Sequence, residues 1–150
     1  MVEGLGDMNI SLALAAMGSA LGTGVAGMAA VGAWKKAFAA NKAAPFILVA
    51  FVGAPLSQTI YGMILRNAIQ GAAIPASVPS YIFQMIIGAV AVAAIGLSAY
   101  MQGKAGARAC DALGETGQGF GQYIMVLGVI ETVALFVMVF AMMALPKAGA

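Results

Sequence analysis

Charged side chains are scarce in this sequence, and histidine is absent. Asp, Glu, Lys and Arg together make up 8% of the 150 residues, far less than a soluble domain of this length needs to stay in solution. The single cysteine, Cys110, excludes an internal disulfide and a cysteine metal cluster, and we interpret it as a small residue in a loop. The net charge of +2, without a basic arm or an aromatic and basic patch, predicts no nucleic-acid partner.

Apolar residues fill the chain instead, in four runs close to the roughly 20 residues that a helix needs to cross a bilayer. Little sequence is left over for a soluble domain. Because Glu3 and Asp7 precede the first run and no Lys or Arg does, that run is a poor signal peptide, and we interpret it as a mature helix. We predict an all-α membrane protein with four transmembrane helices near Ile10–Gly32, Phe46–Leu65, Tyr81–Gly103 and Tyr123–Leu145.

The four predicted helices form two fused helical hairpins of the same design. Residues 1–70 form the first hairpin and residues 81–150 the second, joined by a connecting loop at 71–80 that contains Pro75 and Pro79. Lys and Arg accumulate on the cytoplasmic side of membrane proteins, so we predict cytoplasmic hairpin turns, with both termini and the middle connection outside. Lys147 is a mild exception. The turns hold Lys35, Lys36, Lys42, Lys104 and Arg108, whereas the middle connection holds only Arg66.

The first helix of each hairpin is made of small residues, and the second is bulkier. Gly18, Gly22 and Ala26 form one stripe by their four-residue spacing, and the third helix is rich in Gly and Ala between Gly88 and Ala99. In lipid, small residues let helix backbones approach closely. The pattern fits tight packing inside one four-helix bundle. It also fits a homo-oligomeric ring, with the first and third helices on the inner circle and the others outside.

One carboxylate, Glu131, is predicted to lie within the membrane, inside the apolar stretch Ile124–Phe140. A charge at mid-bilayer costs about 2.5–3.5 kcal/mol on insertion scales, so this group has to be protonated, paired or bound to a cation. No Lys or Arg lies in the middle of any predicted helix, which argues against a salt bridge. Such a residue indicates a transport site; the alternative is a protonated carboxyl that only holds helices together.

Other polar residues are predicted at the same depth. Gln102 and Glu131 are equally far from the turn predicted at Gly114–Gly117, so they should face each other across the second hairpin, and both helices should extend past the bilayer on the cytoplasmic side. In the second helix, Gln58 and Tyr61 share one face by their three-residue spacing. Each alone could serve only to form hydrogen bonds between helices. Together with one carboxylate they offer several oxygens, which suits a partly dehydrated monovalent cation.

A proline interrupts the second helix just before this face. Pro55 cannot donate a backbone hydrogen bond, so a carbonyl of the preceding turn, formally that of Phe51, loses its helical partner. In a membrane this carbonyl has to be satisfied in another way or is available to a cation. Ser57 follows Pro55 and shares the face of Tyr61 by four-residue spacing.

At these residues the chain resembles the proteolipid subunit of V-type ATPases, the protein of the rotor ring, and its bacterial sodium-translocating branch in particular. The resemblance covers nearly the whole chain. The proline, hydroxyl–glutamine and tyrosine of that branch's second helix match Pro55, Ser57–Gln58 and Tyr61, with Ser57 in place of the usual threonine. Its Gln–Gly–Lys matches Gln102–Lys104, and its glutamate matches Glu131.

The resemblance implies the cation site and its ligands. Sodium would be held by the Glu131 carboxylate, the side chains of Gln58, Gln102 and Ser57, and the backbone carbonyl of Ala54. It further implies that Tyr61 supports Glu131, and Thr132, directly after Glu131, is a possible further ligand because sodium-type rotor proteins of the F-type relatives carry a threonine there.

The resemblance also implies partners and a mechanism. The chain would form a ring with copies of itself in a bacterial cell membrane, turn against a stator subunit that has a basic residue, and contact central-stalk subunits at its cytoplasmic turns. Because Gln58 takes the place in the second helix that Glu131 holds in the fourth, each subunit would carry one ion per four helices, which favours pumping over ATP synthesis.

Three alternatives stay open at this point. The ring could carry protons instead of sodium. The chain could be a small four-helix cation or drug antiporter, although the membrane glutamate of such proteins usually lies in the first helix. It could also be a purely structural channel-forming proteolipid, which would not need Glu131, Gln58 and Gln102 together. No catalytic residues are predicted: there is no histidine, no metal-ligand cluster and no phosphate-binding loop.

Overall fold

The computed structural model describes residues 6–74 and 77–146, and four long helices make up most of that part of the chain. Each helix is long and apolar enough to cross a membrane, which confirms the all-α membrane fold with four spans. Glu3, Pro75 and Lys147 lie outside the described residues. The helices are α1 (Ile10–Ala39), α2 (Phe46–Gln70), α3 (Val78–Thr116) and α4 (Phe120–Ala144).

The third helix extends well past its predicted membrane span. The span was expected to end near Gly103, with the helix continuing past the bilayer toward the turn at Gly114–Gly117; α3 continues to Thr116 and has 39 residues, roughly 58 Å at 1.5 Å per residue and about twice the thickness of the hydrocarbon core. The predicted turn at Gly114–Gly117 is therefore helical up to Thr116. Hydropathy falls near Gly103 where the helix leaves the apolar stretch, but a fall in hydropathy does not end a helix that still has a surface to pack against.

Small residues on one face of this extension supply that surface, and they change the interpretation of Cys110. Gly106, Ala109, Cys110 and Leu113 are buried at three- and four-residue spacing, and the last three belong to a cluster that includes Ala30 of α1. Cys110 lies in this helix and is 0% exposed, so its assignment to a loop was wrong.

The small-residue helices α1 and α3 approach each other closely, as their composition predicts. A Cβ added to Gly18 would collide with the backbone of Gly96, and one added to Gly103 would collide with the backbone of Gly22. Because glycine has no side chain, the backbones of α1 and α3 can come into contact at these positions.

Helix α2 is interrupted by a short 3-10 turn at Ala54–Leu56, between α-helical segments Val49–Gly53 and Ser57–Gln70. Pro55 causes this, because its ring lacks an N–H and clashes with the preceding turn. The Phe51 carbonyl, expected to lose its helical partner, lies against Gly106: a Cβ there would come within 2.8 Å of the Phe51 oxygen. The absence of a side chain at Gly106 thus lets α3 cover the weakened turn of α2.

Short connections close the two hairpins at the same end of the molecule. The Trp34 indole N–H donates to the Pro45 carbonyl at 2.9 Å, which ties the first turn together. In the second turn, Gly117 has a φ of 68° and its N–H donates to the Leu113 carbonyl, an arrangement that ends helices and favours glycine. An exposed ion pair at 3.1 Å between Lys36 and Glu115 links the ends of α1 and α3.

At the opposite end, α2 ends at Gln70 and α3 begins at Val78, with Pro79 in its first turn. The Ser77 hydroxyl accepts a hydrogen bond from the Ser80 N–H at 3.3 Å and so caps α3. The first residues of α3 thus fall inside the stretch 71–80 that was expected to connect the hairpins.

Candidate functional site

Glu131, near the middle of α4, is held at both carboxylate oxygens by side chains from two other helices. The Tyr61 hydroxyl of α2 donates to Oε1 at 2.6 Å. The Gln102 amide of α3 donates to Oε2 at 3.3 Å, so these two residues do lie level, as their spacing from the turn predicts. Three helices thus meet at one carboxylate, which is half-buried.

A directed chain of amides leads from α2 to this carboxylate. Gln58 Nε2 donates to Gln102 Oε1 at 2.9 Å, and Gln102 Nε2 donates to the Leu127 carbonyl of α4 at 2.9 Å as well as to Glu131. Gln58 and Gln102 are both 0% exposed. Buried amides without partners are costly, so this chain fixes the two glutamines against each other and against α4.

The interrupted turn of α2 adds more oxygens to the group. The Ser57 hydroxyl lies 3.1 Å from the Ala54 carbonyl and 3.2 Å from Gln58 Oε1, and it can donate to either. Ala54 and Ser57 flank Pro55 within the 3-10 turn and its continuation. The proline therefore brings a backbone carbonyl, a hydroxyl and an amide oxygen together at the level of Glu131.

In the part of the chain that the structure describes, no basic side chain contacts this carboxylate. Arg66 Nε donates to Asn9 at the far end of α2, the Lys104 ammonium lies over the Tyr100 ring, and Lys36 pairs with Glu115. Among the described side chains, the Glu131 carboxyl is therefore met by two hydrogen-bond donors, one phenol and one amide.

Thr132, considered as a possible ligand, is not brought into this group. Its hydroxyl donates to the Val129 carbonyl of its own helix at 2.7 Å, and the residue is exposed. In contrast, Ser98 joins the site without having been predicted: its hydroxyl donates to the Ile130 carbonyl at 2.9 Å, directly before Glu131. Ser98 lies four residues before Gln102 on the same face of α3, and this spacing is the signal that would have found it.

The chemistry available at the site is that of a small hard cation or a proton. Hard cations prefer oxygen ligands, and the site brings together the Glu131 carboxylate, two amide oxygens, a hydroxyl and a backbone carbonyl. A proton would need the carboxylate and one further partner. Among the described residues, no group of three His, Cys, Asp or Glu side chains could hold a metal ion.

Comparison with known proteins relates the second half of the chain to one family. The family model for the C subunit of ATP synthase matches residues 85–144, which span most of α3 and all of α4, with both Gln102 and Glu131. The match covers less than half of the chain. No curated protein matches the sequence significantly.

Proposed function

We propose that this chain is the rotor-ring proteolipid of a V-type rotary ATPase and that it carries sodium ions across the membrane at Glu131. The observation that carries the proposal is the half-buried carboxylate held by Tyr61 and Gln102, with no basic side chain in contact among the described residues. The match of residues 85–144 to the C subunit of ATP synthase supports the rotor assignment, because it includes this carboxylate and its helix. In this role the chain is a non-catalytic, ion-carrying subunit.

The V-type assignment rests on the two hairpins. Only the second hairpin carries a membrane carboxylate, whereas the first has Gln58 at the corresponding place. Gln58 of the first hairpin donates to Gln102 of the second, which supports one site shared between the two hairpins. One ion per four helices makes fewer ions cross per turn of a ring of given size, which favours ATP-driven pumping.

Sodium is proposed over protons because the site has more oxygens than a proton needs. Gln58, Gln102, Ser57 and the Ala54 carbonyl lie within one hydrogen-bonded group with Glu131. The Gln102 amide oxygen accepts a hydrogen bond from Gln58. For this oxygen to bind a cation, that hydrogen bond has to weaken or break. Proton carriage by the same ring is the alternative.

The mechanism follows from the cost of an exposed charge. With sodium bound the site is neutral and can pass the lipid face of the ring, but the bare carboxylate cannot, since a charge at mid-bilayer costs about 2.5–3.5 kcal/mol or more. A basic residue of the stator would draw Glu131 away from Tyr61 and Gln102 and so release the ion. Moving one charge against 100 mV takes about 2.3 kcal/mol, which ATP hydrolysis would supply through the rotor.

The remaining partners follow from the topology. The two hairpin turns lie at the same end of the molecule, and most of the Lys and Arg lie in these turns or in the helices that lead to them, so we place this end in the cytoplasm, against central-stalk subunits. Large apolar side chains of α4, including Val129, Val133 and Phe136, are more than half exposed in the single protomer, which suits contact with lipid and with neighbouring copies in a ring.

Carbodiimide labelling tests this function. Dicyclohexylcarbodiimide reacts with a protonated membrane carboxyl, so sodium bound at Glu131 should slow the modification of that residue, as measured by mass spectrometry of the purified ring. Protection should appear at millimolar-range sodium and grow as the pH rises, because fewer protons then compete. If labelling follows pH alone and ignores sodium, the ring carries protons, and the ligand roles of both glutamines are wrong.

A further inference from the structure

Ser19, on α1, has a hydroxyl that is buried and without a hydrogen-bond partner among the described residues. The residue is 2% exposed, and its Oγ is one of two buried side-chain polar atoms without a partner within residues 6–74 and 77–146. Its neighbour one turn along, Thr23, bonds back to the Ser19 and Ala20 carbonyls of its own helix, but Ser19 does not. A buried hydroxyl without a partner is unfavourable, and such atoms in folded proteins usually have a reason.

The packing of α1 on α2 places Ser19 at the level of Gln58. A Cβ added to Gly22 would lie 2.9 Å from the Pro55 Cβ, and one added to Gly62 would collide with the Ala15 Cβ. Between these two contacts the antiparallel helices bring Ser19 and Gln58 to the same height, because each lies three or four residues from them on the buried face. The first helix, which contributes no side chain to the hydrogen-bonded group described above, therefore places one buried hydroxyl at its level.

Binding of a cation changes the hydrogen bonds that Gln58 can make. In the structure, Gln58 Nε2 donates to Gln102 Oε1. When Gln102 Oε1 faces a cation, the positively polarised N–H of Gln58 is repelled from the same place, and the Gln58 carbonyl oxygen is the atom that should turn to the ion. The amide of Gln58, which has two N–H donors and only one carbonyl oxygen, then needs an acceptor on the side away from the cation.

We infer that Ser19 is this acceptor: its hydroxyl receives the Gln58 amide N–H in the loaded site and so holds the Gln58 oxygen toward the ion. Ser19 is a positioning residue and touches no cation itself. The inference rests on the proposed sodium function, and it explains why the Ser19 hydroxyl has no partner in the arrangement in which Gln58 donates to Gln102.

The test compares Ser19→Ala with Thr23→Ala in purified rings. In each, carbodiimide labelling of Glu131 is followed against sodium concentration at fixed pH. Ser19→Ala should raise the sodium concentration for half-maximal protection about three- to tenfold, the effect expected from loss of one neutral hydrogen bond. Its labelling rate in the absence of sodium should stay that of the wild type, since the contacts of Glu131 with Tyr61 and Gln102 do not involve α1. Thr23→Ala, whose hydroxyl bonds only to its own helix, should behave as the wild type in both conditions.

The same experiment separates the possible failures. If the wild type shows sodium protection and Ser19→Ala shows the same half-maximal concentration, Ser19 has no role in positioning and the inference is wrong, while the sodium function stands. If the wild type shows no sodium protection, the sodium function fails and takes this inference with it. If Ser19→Ala changes the labelling rate without sodium as much as it changes the rate with sodium, the substitution disturbs helix packing, and this result also contradicts the inference. Ser19→Cys is the control for packing, because cysteine is similar in size to serine but is a poor hydrogen-bond acceptor. This variant should lose sodium affinity with little change in packing.

Discussion

Removal of the Tyr61 hydroxyl is the sharpest single perturbation of the proposed site. In Tyr61→Phe the ring stays and only the 2.6 Å hydrogen bond to Glu131 Oε1 is lost. A hydrogen bond to a charged group contributes about 1.5–3 kcal/mol, and each 1.4 kcal/mol is a factor of ten in an equilibrium constant. Because Tyr61 and Glu131 are both partly exposed in the single protomer, we expect the lower end, about a tenfold loss of sodium affinity.

The assay for Tyr61→Phe is the sodium concentration that gives half-maximal protection of Glu131 from carbodiimide. Tyr123→Phe is the matched control, because the Tyr123 ring packs against Phe51 at a centroid distance of 6.2 Å and its hydroxyl is not among the groups that contact Glu131. Transport at saturating sodium should survive in both variants. An unchanged half-maximal concentration in Tyr61→Phe, or an equal loss in Tyr123→Phe, would refute the view that this phenol holds the carboxylate in the binding geometry.

Three other perturbations test the ligand set, the helix packing and the orientation. Gln102→Ala removes a ligand and two donated hydrogen bonds, so sodium protection should weaken at least tenfold while the carboxylate stays reactive to carbodiimide. Gly22→Ala should lower the temperature at which the purified ring dissociates by several degrees, because an added Cβ meets backbone of α3 and overpacking costs about 1–3 kcal/mol; Gly32→Ala, with open space around its Cβ, should not. A membrane-impermeant thiol reagent should leave the buried Cys110 largely unlabelled from either side, whereas Glu115→Cys at the exposed turn should react from the cytoplasmic side only, and labelling of that variant from outside would overturn the orientation.

Hydropathy could predict the four membrane spans, but not the helical extension of α3 beyond its span, which was expected only from the spacing of Gln102 and Glu131 around the turn. Apolar runs of about 20 residues locate the four spans, since a bilayer imposes that length. The stretch after Gly103 is less apolar and carries Lys104 and Arg108, so its hydropathy does not distinguish a helix from a loop. It is helical because Ala109, Cys110 and Leu113 pack against α1, and that contact between distant parts of the chain is not visible in local composition.

The candidate site was predictable in its residues but not in its hydrogen bonds. Equal distance from a turn placed Gln102 opposite Glu131, because an antiparallel hairpin makes that relation geometric. The direction of the amide chain, from Gln58 through Gln102, depends on how side chains rotate within a packed interior, which no spacing reveals. Thr132 illustrates the same limit: adjacency to Glu131 in sequence puts it about 100° around the helix, on another face, and its hydroxyl bonds to its own backbone.

Transport by a reconstituted complex tests the central claim most directly. Complexes containing the wild-type ring, Glu131→Gln, or the control Asp111→Asn are placed in liposomes, and ATP-driven uptake of radioactive sodium is measured in the presence of a protonophore. We predict uptake by the wild type and by Asp111→Asn, and none by Glu131→Gln, whose ring should still assemble because the amide is polar and close in size. Sodium uptake by Glu131→Gln at a substantial fraction of the wild-type rate would contradict the account, since no other carboxylate among the described residues lies in the middle of a span.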